Sequence, residues 1–199
     1  MTEWEYNMGM IAGINCLEEA TLKALDNHKA SIQQSYCGDN IGMIAACSGM
    51  EKATLKALDN YEASIQQNEY DENIGMFAAE NCLMNATLKS LDNYDASIQQ
   101  NKKGQNIGML SAINGLERVT LKALDNLVAS NQQNIDGYNI GMFAALNIKD
   151  DDVDFKSLSN PVATVQQNNE GDNIGMLVAK EFSVCNKLKF LGNITLSIY

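Results

Sequence analysis

The sequence predicts an all-α fold, a helical solenoid of about six repeats with short hairpin loops, and three observations carry that expectation. A seven-residue stretch recurs as NIGMIAA at Asn40, NIGMFAA at Asn73, NIGMLSA at Asn106, NIGMFAA at Asn139 and NIGMLVA at Asn173, with a weaker copy, NMGMIAG, at Asn7. The glycines of these copies, Gly9, Gly42, Gly75, Gly108, Gly141 and Gly175, follow one another at 33 residues four times and then at 34. Each unit holds two short apolar segments, which cannot enclose a core alone, so neighbouring units must cover one another's apolar faces.

The second unit shows the order of elements. Asn40 suits an N-cap, because its side-chain oxygen can accept from an early helical amide. Ile41, Met43, Ile44, Ala45 and Ala46 then make a helix of about two turns. Gly49, free to take positive φ, ends it. A second helix is predicted over MEKATLKALDN, residues 50–60, with Met50, Ala53, Leu55, Ala57 and Leu58 apolar at helical spacing and Lys56 and Asp59 facing water. The stretch ASIQQNEYDE after it is expected to be an extended link or hairpin. Leu55 and Leu58, with Leu22/Leu25, Leu88/Leu91, Leu121/Leu124 and Phe155/Leu158, are expected to pack between units. The pairs Gln33/Gln34, Gln66/Gln67, Gln99/Gln100, Gln132/Gln133 and Gln166/Gln167 are expected to form ladders from unit to unit.

The chain thus divides into units at about 1–34, 35–67, 68–100, 101–133, 134–167 and 168–199 of one domain, residues 1–199. The ends depart from the pattern. Trp4 and Tyr6 are placed over the first helix of the first unit, and the last unit runs after NIGMLVA into KEFSVCNKLKFLGNITLSIY. Its ITLSIY ending reads as an atypical cap, a truncation, an oligomer contact or a docking patch.

Composition narrows the function. With 25 acidic against 14 basic residues the formal charge is −11, which argues against nucleic acid as a direct partner, since phosphate binding draws on Lys and Arg. No apolar run approaches the roughly 18 to 20 residues of a membrane span, and MTEWEYN lacks the marks of a signal peptide. A cytoplasmic location, in the producing cell or in a host cell, is expected. The five cysteines, Cys16, Cys37, Cys47, Cys82 and Cys185, include no metal-binding spacing and are read as free thiols filling small volumes. Catalysis is not expected. His28, the only histidine, stands where other repeats have Tyr, Leu or Pro, and Asp150, Asp151, Asp152 and Asp154 form no shaped pocket. No metal or cofactor is expected.

The period of 33, the element order and the fragments GDNIGMIAA and EASIQ resemble the ankyrin repeat, usually G-x-T-P-L-H-x-A-A, then G-H, a leucine-rich second helix and G-A-D-V-N. Gly38, Gly104, Gly137 and Gly171 match its hairpin glycine, Ala45 and Ala46 its alanine pair, and Gly49 its inter-helix glycine. The match spans essentially the whole chain. Ile41, Gly42 and Met43 replace the family's Pro, Leu and His, so the hydrogen bonds of its helix start are not all reproduced. The resemblance implies an ankyrin-like solenoid whose hairpin tips and first helices line a concave, partner-binding surface.

The repeated positions are explained by stacking, so a partner must be read where the units differ. The hairpins vary most: SYCGD, EYDE, KKGQ, IDGY and NEGD. Tyr36, Tyr70 and Tyr138 either anchor a partner or pack on neighbouring hairpins, tyrosine being a frequent interface anchor. The tips also alternate in charge, which fits either a partner of inverse pattern or the drift of exposed loops. The candidate contacts are Tyr36, Asp39, Glu69, Tyr70, Asp71, Glu72, Lys102, Lys103, Asp136 and Tyr138. His28, Tyr61 and Tyr94 form a further series read as core or turn packing. The leading reading is a scaffold binding a protein partner through this surface. Its rival is an acidic decoy or inhibitor, viral or bacterial, that masks the basic nucleic-acid-binding surface of a target. A structural role, with arrays joined through ITLSIY, would show as self-association.

Overall fold

The computed structural model describes residues 6–147 and 160–181. Among these are fifteen helices and no strand. The first unit holds α1 (Met8–Ile14), α2 (Glu18–Ala24) and α3 (His28–Ile32). The second holds α4 (Ile41–Cys47), α5 (Glu51–Ala57) and α6 (Tyr61–Ile65). The third holds α7 (Ile74–Glu80), α8 (Met84–Ser90) and α9 (Tyr94–Ser97), and the fourth α10 (Ile107–Ile113), α11 (Glu117–Ala123) and α12 (Leu127–Asn131). Beyond them lie α13 (Ile140–Asn147), α14 (Pro161–Val165) and α15 (Ile174–Glu181). First helices stack in the order α1, α4, α7, α10, α13, α15, and second helices in the order α2, α5, α8, α11.

The segment expected to be extended begins with a third short helix instead. Its cause is a second asparagine cap, at Asn27, Asn60, Asn93, Asn126 and Asn160. The Asn60 side chain accepts from the Ala63 amide at 3.3 Å, which starts a turn of helix that the β-branched Ile65 alone would not suggest. The chain becomes extended only at Gln66.

The asparagines before the first helices do more than cap. Asn40 Oδ1 accepts from Met43 N–H at 3.0 Å, while its Nδ2 donates to Ala63 O and to Gln66 Oε1, both at 2.9 Å. Asn73, Asn106 and Asn139 repeat the arrangement. All four are fully buried, so each ties the start of its unit to the end of the same unit with its polar atoms satisfied.

Isoleucine and glycine form the interlock between units. Ile41, Ile74, Ile107 and Ile140 are fully buried. A Cβ added at Gly42 would stand 2.4 Å from Ile74 Cδ1 and 2.7 Å from Ala57 Cβ, and one at Gly108 would stand 2.4 Å from Ile140 Cδ1. Each glycine is therefore the hole for the next unit's isoleucine, a closeness of approach that no larger residue permits. This accounts for Ile and Gly where the ankyrin pattern has Pro and Leu. Met10, Met43, Met76, Met109 and Met142 fill the space beside them. Leu55, Leu58 and Leu91 pack around the core as expected, half-buried, and Phe155 and Leu158 lie outside the described residues.

The glutamines do run from unit to unit, through backbone carbonyls. Gln66, Gln99 and Gln132 donate to the preceding unit at Ile32 O, Ile65 O and Ile98 O, at 2.7 to 2.8 Å. Gln34 donates forward to Gln67 O at 3.0 Å and also closes its own hairpin at Gly38 O.

Two other expectations are corrected. Lys56 is not simply solvated: its Nζ donates to Leu22 O at 2.7 Å and pairs with Asp26 at 2.5 Å, both in the unit before. Lys89 and Lys122 do the same with Leu55 O and Asp59, and with Leu88 O and Asp92. A lysine stem long enough to lie along the second helix brings the ammonium to the free carbonyls at the C-terminal end of its neighbour. The four cysteines among the described residues are free, Cys37 is half-buried, and the other three fill no small volumes. Cys16, Cys47 and Cys82 are exposed, and Cys16 and Cys82 hold φ of 55° and 56° where Gly49 and Gly115 hold 72° and 67° in other units. Trp4, Cys185, the Asp150 to Asp154 run and ITLSIY lie outside the described residues.

Candidate protein-binding surface

The hairpins are turns of five residues closed by a repeated bond pair. Ser35 N–H donates to Asp39 O at 2.8 Å, and Gly38, at φ 84°, lets the chain reverse. In the next turn Asn68 Oδ1 accepts from the amides of Tyr70 and Glu72, at 2.9 and 3.0 Å. Successive tips are also stitched together: Glu69 N–H donates to Cys37 O at 2.8 Å, Lys102 to Tyr70 O at 3.0 Å, Ile135 to Lys103 O at 3.1 Å and Asn169 to Asp136 O at 2.9 Å. The tips are thus a continuous rigid ribbon, and what varies along it is side chain.

The ten candidate residues fall at different places on this ribbon. Tyr36, Glu69 and Lys102 share its second position, Tyr70, Lys103 and Asp136 its third, and Asp39, Glu72 and Tyr138 its fifth. The three tyrosines therefore form no common row. Tyr36 and Tyr70 are exposed, Lys102 Nζ standing 6.0 Å from the Tyr70 ring centre. Tyr138 is half-buried and stacks on Phe143, with ring centres 5.2 Å apart. Asp71 takes the place of the hairpin glycine at φ 61°, a left-handed conformation that Asp adopts more readily than most residues.

The fifth position faces the last turn of the first helix, and there the structure adds residues that the hairpin reading overlooked. Lys180 on α15 donates to Asp172, eight residues before it. Glu80 on α7 holds the same relation to Glu72, and Ile113 and Leu146 the same to Gln105 and Tyr138. Along the stack the residues at the fifth tip position and the first-helix end change from Asp39, Glu72 and Glu80 to Ile113, Tyr138 and Leu146, with Phe143 stacked on Tyr138. The sequence carried this signal at the position after Ala46, Ala79, Ala112 and Ala145, namely Cys47, Glu80, Ile113 and Leu146, which differs between units as the tips do.

Electrostatics marks the acidic half. Burial raises the Asp39 carboxyl above its ordinary range, an effect partly offset by Asn68 Nδ2 donating to Asp39 Oδ1 at 2.9 Å, and Glu69 adds to the rise. Burial also raises Glu80, Glu72 adding to the effect and Lys103 opposing it. The Tyr70 hydroxyl is raised chiefly by the charge of Glu69. Asp39 lies near the charge of Glu69, and Glu80 near that of Glu72, and a cation placed among these carboxylates would relieve the repulsion. Among the described residues no group of His, Cys, Asp and Glu has the geometry to hold a metal ion, and no helix is long and apolar enough to cross a membrane.

No protein-family model and no curated protein sequence matches the chain. Solved structures do match in fold. The ankyrin repeat protein EF0377 superposes with a TM-score of 0.73 at 14% identity, over 96% of this chain and 98% of that one. An ankyrin repeat domain from Acinetobacter baumannii AYE gives a TM-score of 0.73 at 11% identity, over 94% of this chain and 97% of that one. A chain in the structure of the predatory endopeptidase Bd0816 from Bdellovibrio bacteriovorus in complex with immunity protein Bd3460 gives a TM-score of 0.68 at 19% identity, over 96% and 99%.

Proposed function

We propose, with the ankyrin-repeat fold of this chain as premise, that it is a non-catalytic scaffold that binds a protein partner in the groove between its hairpin tips and first helices. The observation that carries this reading is the division of the molecule into repeated and varied positions. Glutamines, isoleucines, glycines, second-helix lysines and the asparagines that cap the third helices recur because they join unit to unit, and the asparagines before the first helices recur because they close each unit on itself. The tips and the first-helix ends make few such contacts through their side chains and differ in every unit. The matching fold in the endopeptidase and immunity protein complex is in keeping with a protein partner. The groove best fits a segment that is basic where it crosses Asp39, Glu69, Glu72 and Glu80 and apolar where it crosses Ile113, Phe143 and Leu146.

The acidic half favours one second reading, a decoy that covers a basic nucleic-acid-binding face of its target. The two differ in salt response: binding by charge alone collapses between low and high salt, whereas an anchored groove loses mainly association rate. The test of the site is Tyr70→Ala with Glu69→Lys and Glu72→Lys. Partner capture from the producing organism, quantified by mass spectrometry, should be lost, because the change removes an anchor of about 1 to 3 kcal/mol and inverts the local field. Retained capture with an unchanged melting temperature would place the working surface elsewhere.

A further inference from the structure

The third helices carry a second row of varied side chains on another face of the stack. Their first two positions read His28 and Lys29, Tyr61 and Glu62, Tyr94 and Asp95, Leu127 and Val128, then Pro161 and Val162. The helices do not need these side chains in order to form. Their starts are capped by the preceding asparagines, and their third residues, Ala63, Ala96, Ala129 and Ala163, supply the buried contact. The outer pair stays in solvent: Tyr61 is 56% exposed, Tyr94 55%, Leu127 64%, Val128 46% and Val162 53%. The series is therefore not core packing, and its contacts are made at the turns, where His28 pairs with Glu62 and the Tyr61 hydroxyl donates to Asp95. Exposed aromatic and aliphatic side chains that recur on one face of the stack give a partner apolar area to cover.

The row also has a charge gradient. Across the second and third units the tyrosines stand beside Glu62 and Asp95, with His28 paired to Glu62 at 3.5 Å and the Tyr61 hydroxyl donating to Asp95. In the next register Val128 holds the position of Glu62 and Asp95, so the carboxylate of that position is replaced by an apolar side chain. From that point the exposed pair is apolar.

We propose that this row is a second docking surface, whose occupant is an α-helix of a protein partner, basic over Tyr61, Glu62, Tyr94 and Asp95 and apolar over Leu127, Val128 and Val162. Aromatic rings beside carboxylates suit Lys or Arg, whose charge meets the acid while the stem covers the ring. Packed helices lie about 8 to 10 Å apart, and a helix rises about 1.5 Å per residue, so side chains about seven residues apart on the occupant meet successive units.

The test uses three fluorescent helical peptides of about 21 residues, long enough to cross three units. One carries lysines and then leucines at seven-residue spacing, one the same in reverse chain order, and one the same residues scrambled. Fluorescence anisotropy with the intact chain should show one ordered peptide binding at least about ten-fold more tightly than the scrambled one. Leu127→Asp with Val128→Asp should remove that advantage, and the tip triple change should leave it intact. Val128→Asp introduces the residue type that the third unit already carries at that register, and circular dichroism checks that the fold is retained. Equal binding of ordered and scrambled peptides, or binding indifferent to the double change, overturns the proposal. So does dimerisation in sedimentation that vanishes with the double change, because the occupant is then a second copy of the chain.

Discussion

Two sets of lysines look alike in the sequence and behave differently in the structure. Lys56, Lys89 and Lys122 recur at intervals of 33 and each reaches back to a carbonyl and a carboxylate of the unit before. Lys102 and Lys103 occur in one hairpin only; the first lies near the Tyr70 ring and the second acts on Glu80 through space. A charge in register with the repeat belongs to the stack, and a charge out of register does not. The same division separates the Asn and Gln contacts from the tip side chains.

The largest test of that contrast is at the interlock. Ile107→Ala empties the space beside Gly75, where the two units approach most closely, and should cost about 2 to 5 kcal/mol in urea unfolding. A loss near that of a surface change would mean that the units do not depend on one another.

Next come the lysines themselves. Lys89→Met keeps much of the stem but strands the Leu55 carbonyl and Asp59, and should cost about 1 kcal/mol, since the ammonium is half-exposed and its ion pair is partly screened. Lys102→Met should stay within about 0.5 kcal/mol. Equal losses would erase the distinction between the two sets.

Asp71→Gly is smaller and of opposite sign. It relieves a left-handed non-glycine residue while loosening the unfolded chain, and a net gain of about 0.5 kcal/mol is expected in the same measurement.

The smallest effect is one of pH. Asp39 and Glu80 bind protons more readily in the folded state than in the unfolded one, so their contribution favours folding at low pH and is lost as pH rises through their folded values. Melting temperature should rise slightly when pH falls from 7 into the raised carboxylate range, and Asp39→Asn with Glu80→Gln should flatten that rise. An unaltered slope in the double variant would show that the burial of these two carboxyls is not felt by the fold.

The repeat period made the stack legible, because 33-residue recurrence reports the neighbour's position as well as the residue's own. The N-caps at Asn40 and its equivalents were readable for the same reason. The third helix was not, because Ala63, Ser64 and Ile65 lack a helical apolar period and the cap at Asn60 sits inside what looks like the end of the second helix. The lysine bridges were hidden by composition, since a lysine beside an aspartate on a helix reads as solvated unless its length is set against the neighbour's carbonyls. Of the candidate site, the tips stood out through their variation. Glu80, Ile113, Phe143 and Leu146 were missed because they lie within helices whose other positions repeat.

The step of 34 in place of 33 has a consequence for how such a chain tolerates error. Asn139 bonds Ala163 O and Gln166 Oε1 across intervals of 24 and 27 residues, where Asn106 spans 23 and 26 to Ala129 and Gln132. The extra residue falls before Asn160, and from there the glutamine, asparagine and tip bonds resume on their usual partners. Phase is reset at every joint by contacts that look only one unit back or forward. A miscount in copying therefore stays where it occurs, and an array of this kind can lengthen, shorten or accept foreign sequence at that joint without losing count further along.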